Sequence, residues 1–584
     1  MWEVFMKSKV WYKVLGLLCV FSLLIGTLSA CGTGNGDSEQ SNNNSEQETS
    51  SNGSSTDTNE VTSNVDENGK YVDGIEISFV RGIDDDLASN ILPKTPGETV
   101  EDNRWLDAYR DTLGIDVSYD WIVKGNETSD AFVQKLNVTL ASGELPDVIL
   151  VNPSQLKQLA ESDMIMDMTP YYEEYGSDLL KDVYTQEGDG LLNSVTFDGK
   201  LMAIPDMVSM VETTQYLWIR KDWLDNLGLD VPKTMEDLLV VIEAFATQDP
   251  DGNGVDDTLG LAITKELYGG AMGLEGFFSG YGAYPNIWVE DDQGDLVYGS
   301  VLPEVKDALE VLADMYKKGY LDREFGIKDG GKVSENIVAG MYGVEYGAQW
   351  NPMWPLINNY NNDPEADWTA YPIVALEGET AKVPLAFTSS RYFAVSKDFE
   401  YPEALVKMCN LHMELNWGET NDFNKYYMPV ENGGVGVWKF SPVTPFPPFK
   451  NHDAFIEIEN ARKSGDFSQL TGEPKVIQEN IEAFESGDTS QWGWERIYGE
   501  DGAFGVLSEY LENDQLIREK FVGAPTDTMT EKLSTLQKME VEEFVKIIMG
   551  ESPIEAYDEF VENWYNLGGQ AITDEVNAWY DSLD

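Results

Sequence analysis

Gly74-Ile75-Glu76-Ile77-Ser78-Phe79-Val80 alternates apolar and polar residues as a half-buried strand does, and Ile115-Asp116-Val117-Ser118-Tyr119 repeats the alternation. Between them, Asn103 to Leu113 carries its apolar residues at helical spacing. Strand, helix and strand in this order make a βαβ opening. Working outward, Ala131 to Ala141 reads as a helix broken by Ser142-Gly143, and Pro146-Asp147 leads into a short apolar strand, Val148-Ile149-Leu150-Val151. Tyr216-Leu217-Trp218-Ile219-Arg220 reads as another buried strand, followed by a short helix from Lys221 to Leu227 that Gly228 stops. Thr234 is a good N-cap, with Asp237 three residues on in a capping-box-like position. This alternation predicts α/β lobes with helices packed on a mostly parallel sheet. No period of about 20 to 50 residues repeats, which excludes solenoids and propellers.

The chain has 584 residues, more than one hydrophobic core usually serves, so at least two lobes are expected. Its formal charge of -65, from 104 Asp and Glu against 39 Lys and Arg, would repel phosphate backbones and argues against nucleic-acid binding. The acid excess reads as a solvated surface. Sixteen Trp, 28 Tyr and 23 Phe are enough for large cores and for exposed stacking surfaces as well.

The first 30 residues read as a secretory signal: Lys7, Lys9 and Lys13 precede an apolar run from Val14 to Leu28 that is too short for an ordinary membrane span. Leu28-Ser29-Ala30-Cys31 resembles the lipobox of bacterial lipoproteins, which makes Cys31 the expected lipidation site and the first residue of the mature protein. Two acyl chains on one residue anchor lastingly where one holds only marginally. Residues 31–70 are rich in Ser, Asn and Glu and nearly devoid of apolar side chains, as a disordered tether would be. Of the three cysteines, Cys409 alone stands in the body, so no disulfide is expected, and it reads as a small buried hydrophobe.

Asp249-Pro250-Asp251-Gly252-Asn253-Gly254-Val255-Asp256-Asp257 places oxygen side chains at positions 1, 3, 5 and 9 of a loop, with Gly254 at position 6 and the Val255 carbonyl at position 7. Hard oxygen donors without His or Cys favour calcium. Because position 12 is Gly260 and not a bidentate Glu, the expected site is structural, with Asp249, Asp251, Asn253, Val255 and Asp257 as ligands. An acidic turn that needs no ion is the other reading. Gly326 to Lys332 nearly matches a phosphate-binding loop, but Val333 replaces the required Ser or Thr. No GxSxG, HExxH or CxxC motif appears, so no catalytic residue is assigned and the chain is not expected to be an enzyme.

Ala141-Ser142-Gly143-Glu144-Leu145-Pro146-Asp147-Val148-Ile149, Asp198-Gly199-Lys200 through Ile204-Pro205, Leu217 to Leu229, the Asp249 to Asp257 loop, Arg391 to Ser396, Gly523-Ala524-Pro525-Thr526 and the tail from Phe544 to Tyr580 occur in a telling order. In that order the chain resembles the extracellular solute-binding lipoproteins of ABC importers, family 1 type, close to the alginate-oligosaccharide-binding branch common in Bacillus and Paenibacillus relatives. The resemblance implies a type II periplasmic-binding fold: two α/β lobes joined by a hinge. Residues 71–209 and 384–440 would form the first lobe, and 210–383 and 441–584 the second. It further implies an oligosaccharide ligand, ABC permease subunits as partners, calcium as a structural ion, and a monomer held by lipid on the outer face of the cell membrane.

Sugars present apolar CH faces ringed by hydroxyls, so their sites combine flat aromatic rings with planar amides, carboxylates and Arg. Candidates in loops after strands are Arg81 and Asp84, then Asn152 and Ser154. Glu212 lies near one expected crossing and Arg391 near another, where it could instead bind a carboxylate that fixes the hinge. Tyr346, Gln349, Trp350 and Trp354 occupy a Gly- and Pro-punctuated stretch, and the resemblance places a stacking Trp at Trp350. Trp438, Trp492 and Trp494 carry less weight. Two other readings stay open: a surface-anchored carbohydrate-processing enzyme, such as a glycosidase or lyase, and a peptide-binding lipoprotein of the same fold.

Overall fold

In the computed structural model, which describes residues 65–206, 209–387 and 391–583, the opening alternation forms the strand Ile75–Ile83, parallel to Ile115–Lys124. The intervening helix, Arg104–Leu113, starts where the Asn103 side chain accepts from the Trp105 and Leu106 backbone N–H groups and ends at Gly114 in the left-handed region. Gly143 and Gly228 stop their helices in the same way. The signal and Cys31 lie outside the described residues, as does most of the expected tether. Its last part is ordered: Val65 bridges Tyr71, and the Lys70 Nζ donates to the Asp111 carbonyl at 2.6 Å.

Two separate cores account for the bulk of the buried side chains. The first joins residues between Tyr71 and Ile204 to residues between Tyr392 and Val443. The second joins residues between Tyr216 and Val383 to residues between Ala454 and Val576. Where the chain passes between them, a small third cluster of Met210, Val211 and Leu385 packs with Phe387, Phe449 and Leu516. The architecture is two-lobed α/β, as expected.

The sheets are mixed, which corrects the expectation of mostly parallel pairing. In the first lobe, Tyr392–Val395 lies between Val148–Val151 and Ile204–Pro205 and is antiparallel to both. In the second, the four-stranded sheet runs Trp368–Tyr371, Gln215–Arg220, Tyr342–Ala348, Leu259–Leu261, and only its last pair is parallel. The reason is connectivity. Tyr392–Val395 re-enters the first lobe after the whole second-lobe sheet has been built, and arrives from the hinge side. Gln215–Arg220 likewise leaves the hinge, so both run against their neighbours. The six residues of Gln215–Arg220 and the seven of Tyr342–Ala348 are all buried, as central strands covered on both faces must be.

Cys409 is fully buried on the helix Glu403–Trp417, where burial pushes its thiol up out of the reactive range. Among the described residues no helix is long and apolar enough to cross a membrane.

Candidate functional site

Register brings one rim of the first lobe together. Tyr392 pairs with both Val151 and Pro205, so the residues just beyond them, Arg391, Asn152 and Asp206, share one edge of the sheet. Asp206 is 2% exposed, and it receives the Arg391 guanidinium at 2.6 Å and the Thr444 hydroxyl at 3.0 Å. A second contact, 3.4 Å, joins Arg391 to Glu127. Burial holds the Asp206 carboxyl above the ordinary range against the pull of Arg391. Arg391 therefore ties together the two chain segments that flank the crossings, while part of it still reaches solvent. This wall encloses a cavity of about 290 Å³ lined by Arg81, Asp84, Glu127, Arg391, Trp438 and Lys439, among others.

The other first-lobe candidates prove to have structural partners. Arg81 donates to the Ser441 carbonyl at 2.9 Å and to the Lys439 carbonyl, pinning the returning segment to the opening strand. Asp84 accepts from the Leu87 N–H at 2.6 Å and lies 3.3 Å from the Lys439 Nζ. Asn152 forms a reciprocal capping box with Gln155 at the start of the helix Pro153–Glu161, which occupies its side chain, and Ser154 sits exposed in the first turn of that helix. Both Asn152 and Ser154 thus belong to a helix start and not to a free loop, because Pro153 at the first helical position nucleates the turn immediately after the strand.

The second lobe presents its own rim. Ala348 pairs with Gln215, so the stretch after the strand Tyr342–Ala348 meets the segment entering from the hinge. Gln349 turns inward and donates its amide to Glu212, whose other oxygen accepts from Asn451 at 3.0 Å. Trp350 and Trp354, 37% and 40% exposed, stack on each other with ring centroids 6.3 Å apart at 22°. Tyr346 is a correction: it is fully buried, edge-on to Phe277 at 6.5 Å, because it lies on a strand covered on both faces. Trp492 is buried too and stacks on Tyr360, whereas Trp438 lines the first-lobe cavity and stacks on Tyr427 at 6.3 Å.

A half-buried carboxylate seats Trp350. Glu275 accepts from the Gly269 N–H at 2.8 Å and from the Gln215 amide at 2.7 Å, and burial pushes its carboxyl up to about 7. The loop so fixed presents the Gly270 carbonyl to the Ala348 N–H and to the Asn351 amide, 2.8 Å in each case. The absent side chain of Gly270 leaves room for the Trp350 ring. Sequence reasoning missed Glu127 and Lys439, which are remote in the chain from what they touch, and Glu275, which joins the nearby Gly269 to the distant Gln215. Only the Gly269-Gly270 pair was a local signal of close approach.

A family model described as bacterial extracellular solute-binding protein matches residues 102–408, more than half the chain. The chain belongs to that family. It is 22% identical over 514 residues to lipoprotein LipO of Bacillus subtilis, covering 85% of this chain and 92% of LipO. It is 31% identical over 217 residues to the polygalacturonan/rhamnogalacturonan-binding protein YtcQ of the same organism, covering 36% of this chain and 41% of YtcQ. Among solved structures, an EF-hand mutant of the Streptococcus pneumoniae ABC-transporter substrate-binding protein FusA, in complex with fructo-nystose, superposes with a TM-score of 0.54 at 17% identity. That match covers 87% of this chain and 99% of FusA.

In this family member the acidic loop folds as an exposed turn after the helix Met235–Thr247, with positive φ at Asp249, Gly252 and Gly254. The Asp249 carboxylate accepts from the Gly254 N–H, and Asn253 Oδ1 accepts from the Val255 N–H at 2.7 Å. The Asn253 amide nitrogen stands between two carboxylates, 2.7 Å from Asp251 and 3.4 Å from Asp257. Partial burial and the neighbouring Asp249 and Asp257 raise the Asp251 carboxyl. Among the described residues no three His, Cys, Asp or Glu side chains alone converge on a metal position. Position 12, Gly260, lies in the strand Leu259–Leu261, where an added Cβ would stand 2.5 Å from Ile242, so a bidentate Glu has no room there.

Proposed function

We propose that this protein is the lipid-anchored substrate-binding component of an ABC importer and that it carries an oligosaccharide between its two lobes. The observation that carries the proposal is the stacked, solvent-reached Trp350–Trp354 pair on the second-lobe rim, a flat apolar surface beside polar groups. In the first-lobe cavity, Trp438 offers a second ring, and Glu127 and Asp84 offer hydrogen-bond acceptors to sugar hydroxyls. The sugar-binding names of YtcQ and FusA support the same class of ligand. Ligand touching both rims favours the closed form, and that form is what a permease would recognise. Cys31 would hold the molecule to the outer face of the membrane, working as a monomer.

No bond need be made or broken. Of the carboxyl groups that burial raises into the acid–base range, Glu345 at about 8 and Glu540 at about 7 are fully buried, while Glu275 and Glu519, both at about 7, are half-buried and already accept backbone N–H groups. They are not placed to protonate a glycosidic oxygen, which disfavours the glycosidase reading.

The Asp249–Asp257 loop fits calcium. Its donors are all oxygens, and an N–H now stands between carboxylates where a cation's charge would serve better. Asp249, Asp251, Asn253, Asp257 and the Val255 carbonyl would hold the ion, which would fix the turn between a helix and the sheet. The test of the carbohydrate reading is a thermal-shift screen over oligosaccharides, followed by Trp350→Ala. A change in affinity below about 0.5 kcal/mol, well under an aromatic hot spot, would refute the stacking role.

A further inference from the structure

We infer that the cleft selects uncharged oligosaccharides and turns away those bearing uronates, an inference that rests on the carbohydrate reading above. A sugar carboxylate needs a cation with bonding capacity to spare, because its desolvated charge is costly unless paired. The first-lobe cavity has three cationic side chains, and each is already engaged. Arg391 is held by Asp206 at 2.6 Å and Glu127 at 3.4 Å. Lys439 is held by Asp86 at 2.8 Å and Asp84 at 3.3 Å. Arg81 spends both terminal nitrogens on the Ser441 and Lys439 carbonyls and, at 3.3 Å, on the Tyr119 hydroxyl, and its remaining Nε is buried out of a ligand's reach.

Those four carboxylates outnumber the three cations. A uronate entering here would meet like charge at Asp84 and Glu127, or would have to displace one of them and leave it unpaired. The second-lobe rim offers indole rings and the Gln349–Glu212 pair, and the cation beside Glu212, Lys450, is already held by Glu473 at 3.3 Å. The whole chain carries -65, so no long-range attraction offsets the local repulsion. Hydroxyls, by contrast, suit this wall. Carboxylates have lone pairs left over after one ion pair, and a hydroxyl donates to them while a uronate's carboxylate group only accepts. The aromatic faces serve either sugar equally, so charge alone discriminates.

The decisive experiment is calorimetry on the full chain with oligogalacturonates and their fully methyl-esterified counterparts of equal length, which differ only in charge, beside neutral gluco-, xylo- and fructo-oligosaccharides. Neutral ligands should bind, acidic ones should be weaker by about 100-fold or more, and neutral affinity should hold when ionic strength is raised about tenfold. The double variant Asp84→Asn with Asp86→Asn, which frees Lys439, should bring acidic and esterified oligomers closer in affinity. Acidic oligomers binding as tightly as neutral ones, and more weakly with added salt, would overturn the inference while leaving the carbohydrate reading intact. Failure of every saccharide, charged or neutral, would instead overturn the carbohydrate reading and this inference with it.

Discussion

Replacing Gly270 by alanine asks whether Trp350 is a positioned platform or a loose surface ring. The backbone at Gly270 does not lie in the left-handed region, so alanine brings no torsional strain. Its methyl, however, would stand 2.9 Å from Trp350 Cζ2 and 3.6 Å from Cε2. Carbon atoms rest at about 3.5 to 4.0 Å, so the indole edge must withdraw by roughly 0.6 to 1.1 Å. Trp350 is more than a third exposed and leans on Trp354, so the withdrawal costs little stability, under about 1 kcal/mol. A stack on that ring should lose about 0.5 to 1.5 kcal/mol, a two- to tenfold rise in Kd. Gly276→Ala is the control. There the methyl would lie 2.4 Å from Tyr346 Cδ1 and 2.9 Å from Ile373 Cδ1, both fully inside the core. Overpacking of that kind costs about 1 to 3 kcal/mol of stability. The assay is titration calorimetry, well below the melting transition, with the oligosaccharide giving the largest thermal shift, paired with thermal denaturation of each variant. The reasoning fails if Gly270→Ala binds within about twofold of the parent and loses as much stability as Gly276→Ala.

Calcium at about 100 times its dissociation constant should stabilise the protein by about 2.7 kcal/mol, and Asp251→Asn should abolish most of that gain; a melting temperature indifferent to EGTA would remove the ion from the loop. Glu345 predicts a pH dependence. Burial without a partner pushes its carboxyl from 4.5 up to about 8, so between those values the native state keeps a proton that the unfolded chain has lost. Stability should therefore be complete below about pH 4.5 and fall by up to about 1.4 kcal/mol per unit until pH 8. Glu345→Gln has no charge to bury, and its advantage over the parent should grow through that window; a difference independent of pH would refute the assignment.

What could be read from the sequence was local. Gly143 and Gly228 ended helices as expected, because a left-handed stop needs only one residue type at one position. Thr234 did cap its helix, accepting from the Asp237 N–H at 3.1 Å, although the reciprocal bond from Asp237 goes to the Lys233 N–H and not to the cap itself. Strand direction could not be read, since it depends on which lobe a later segment re-enters. The same limit governed the site. Trp350 and Tyr346 stand four residues apart in one Gly-punctuated run, yet one reaches solvent and the other is sealed between layers. Asn152 looked like a free amide until Gln155 engaged it, and Arg391 found its carboxylate in Asp206, 185 positions away.

The crossings show how such a molecule can close without disturbing either core. Each is clamped to one lobe by a half-buried acid. Glu187, on the first-lobe side, accepts from the Met210 and Val211 N–H groups at 3.0 and 2.9 Å. Glu519, on the second-lobe side, accepts from the Phe387 N–H at 2.9 Å, and burial raises its carboxyl to about 7. One ion pair across the lobes is of another kind. The Lys157–Asp527 ion pair, 2.8 Å long, has an aspartate 93% exposed, and pairs so exposed contribute about 0 to 1 kcal/mol. Acids thus fix each crossing to its own lobe, while the Lys157–Asp527 pair between lobes is weak.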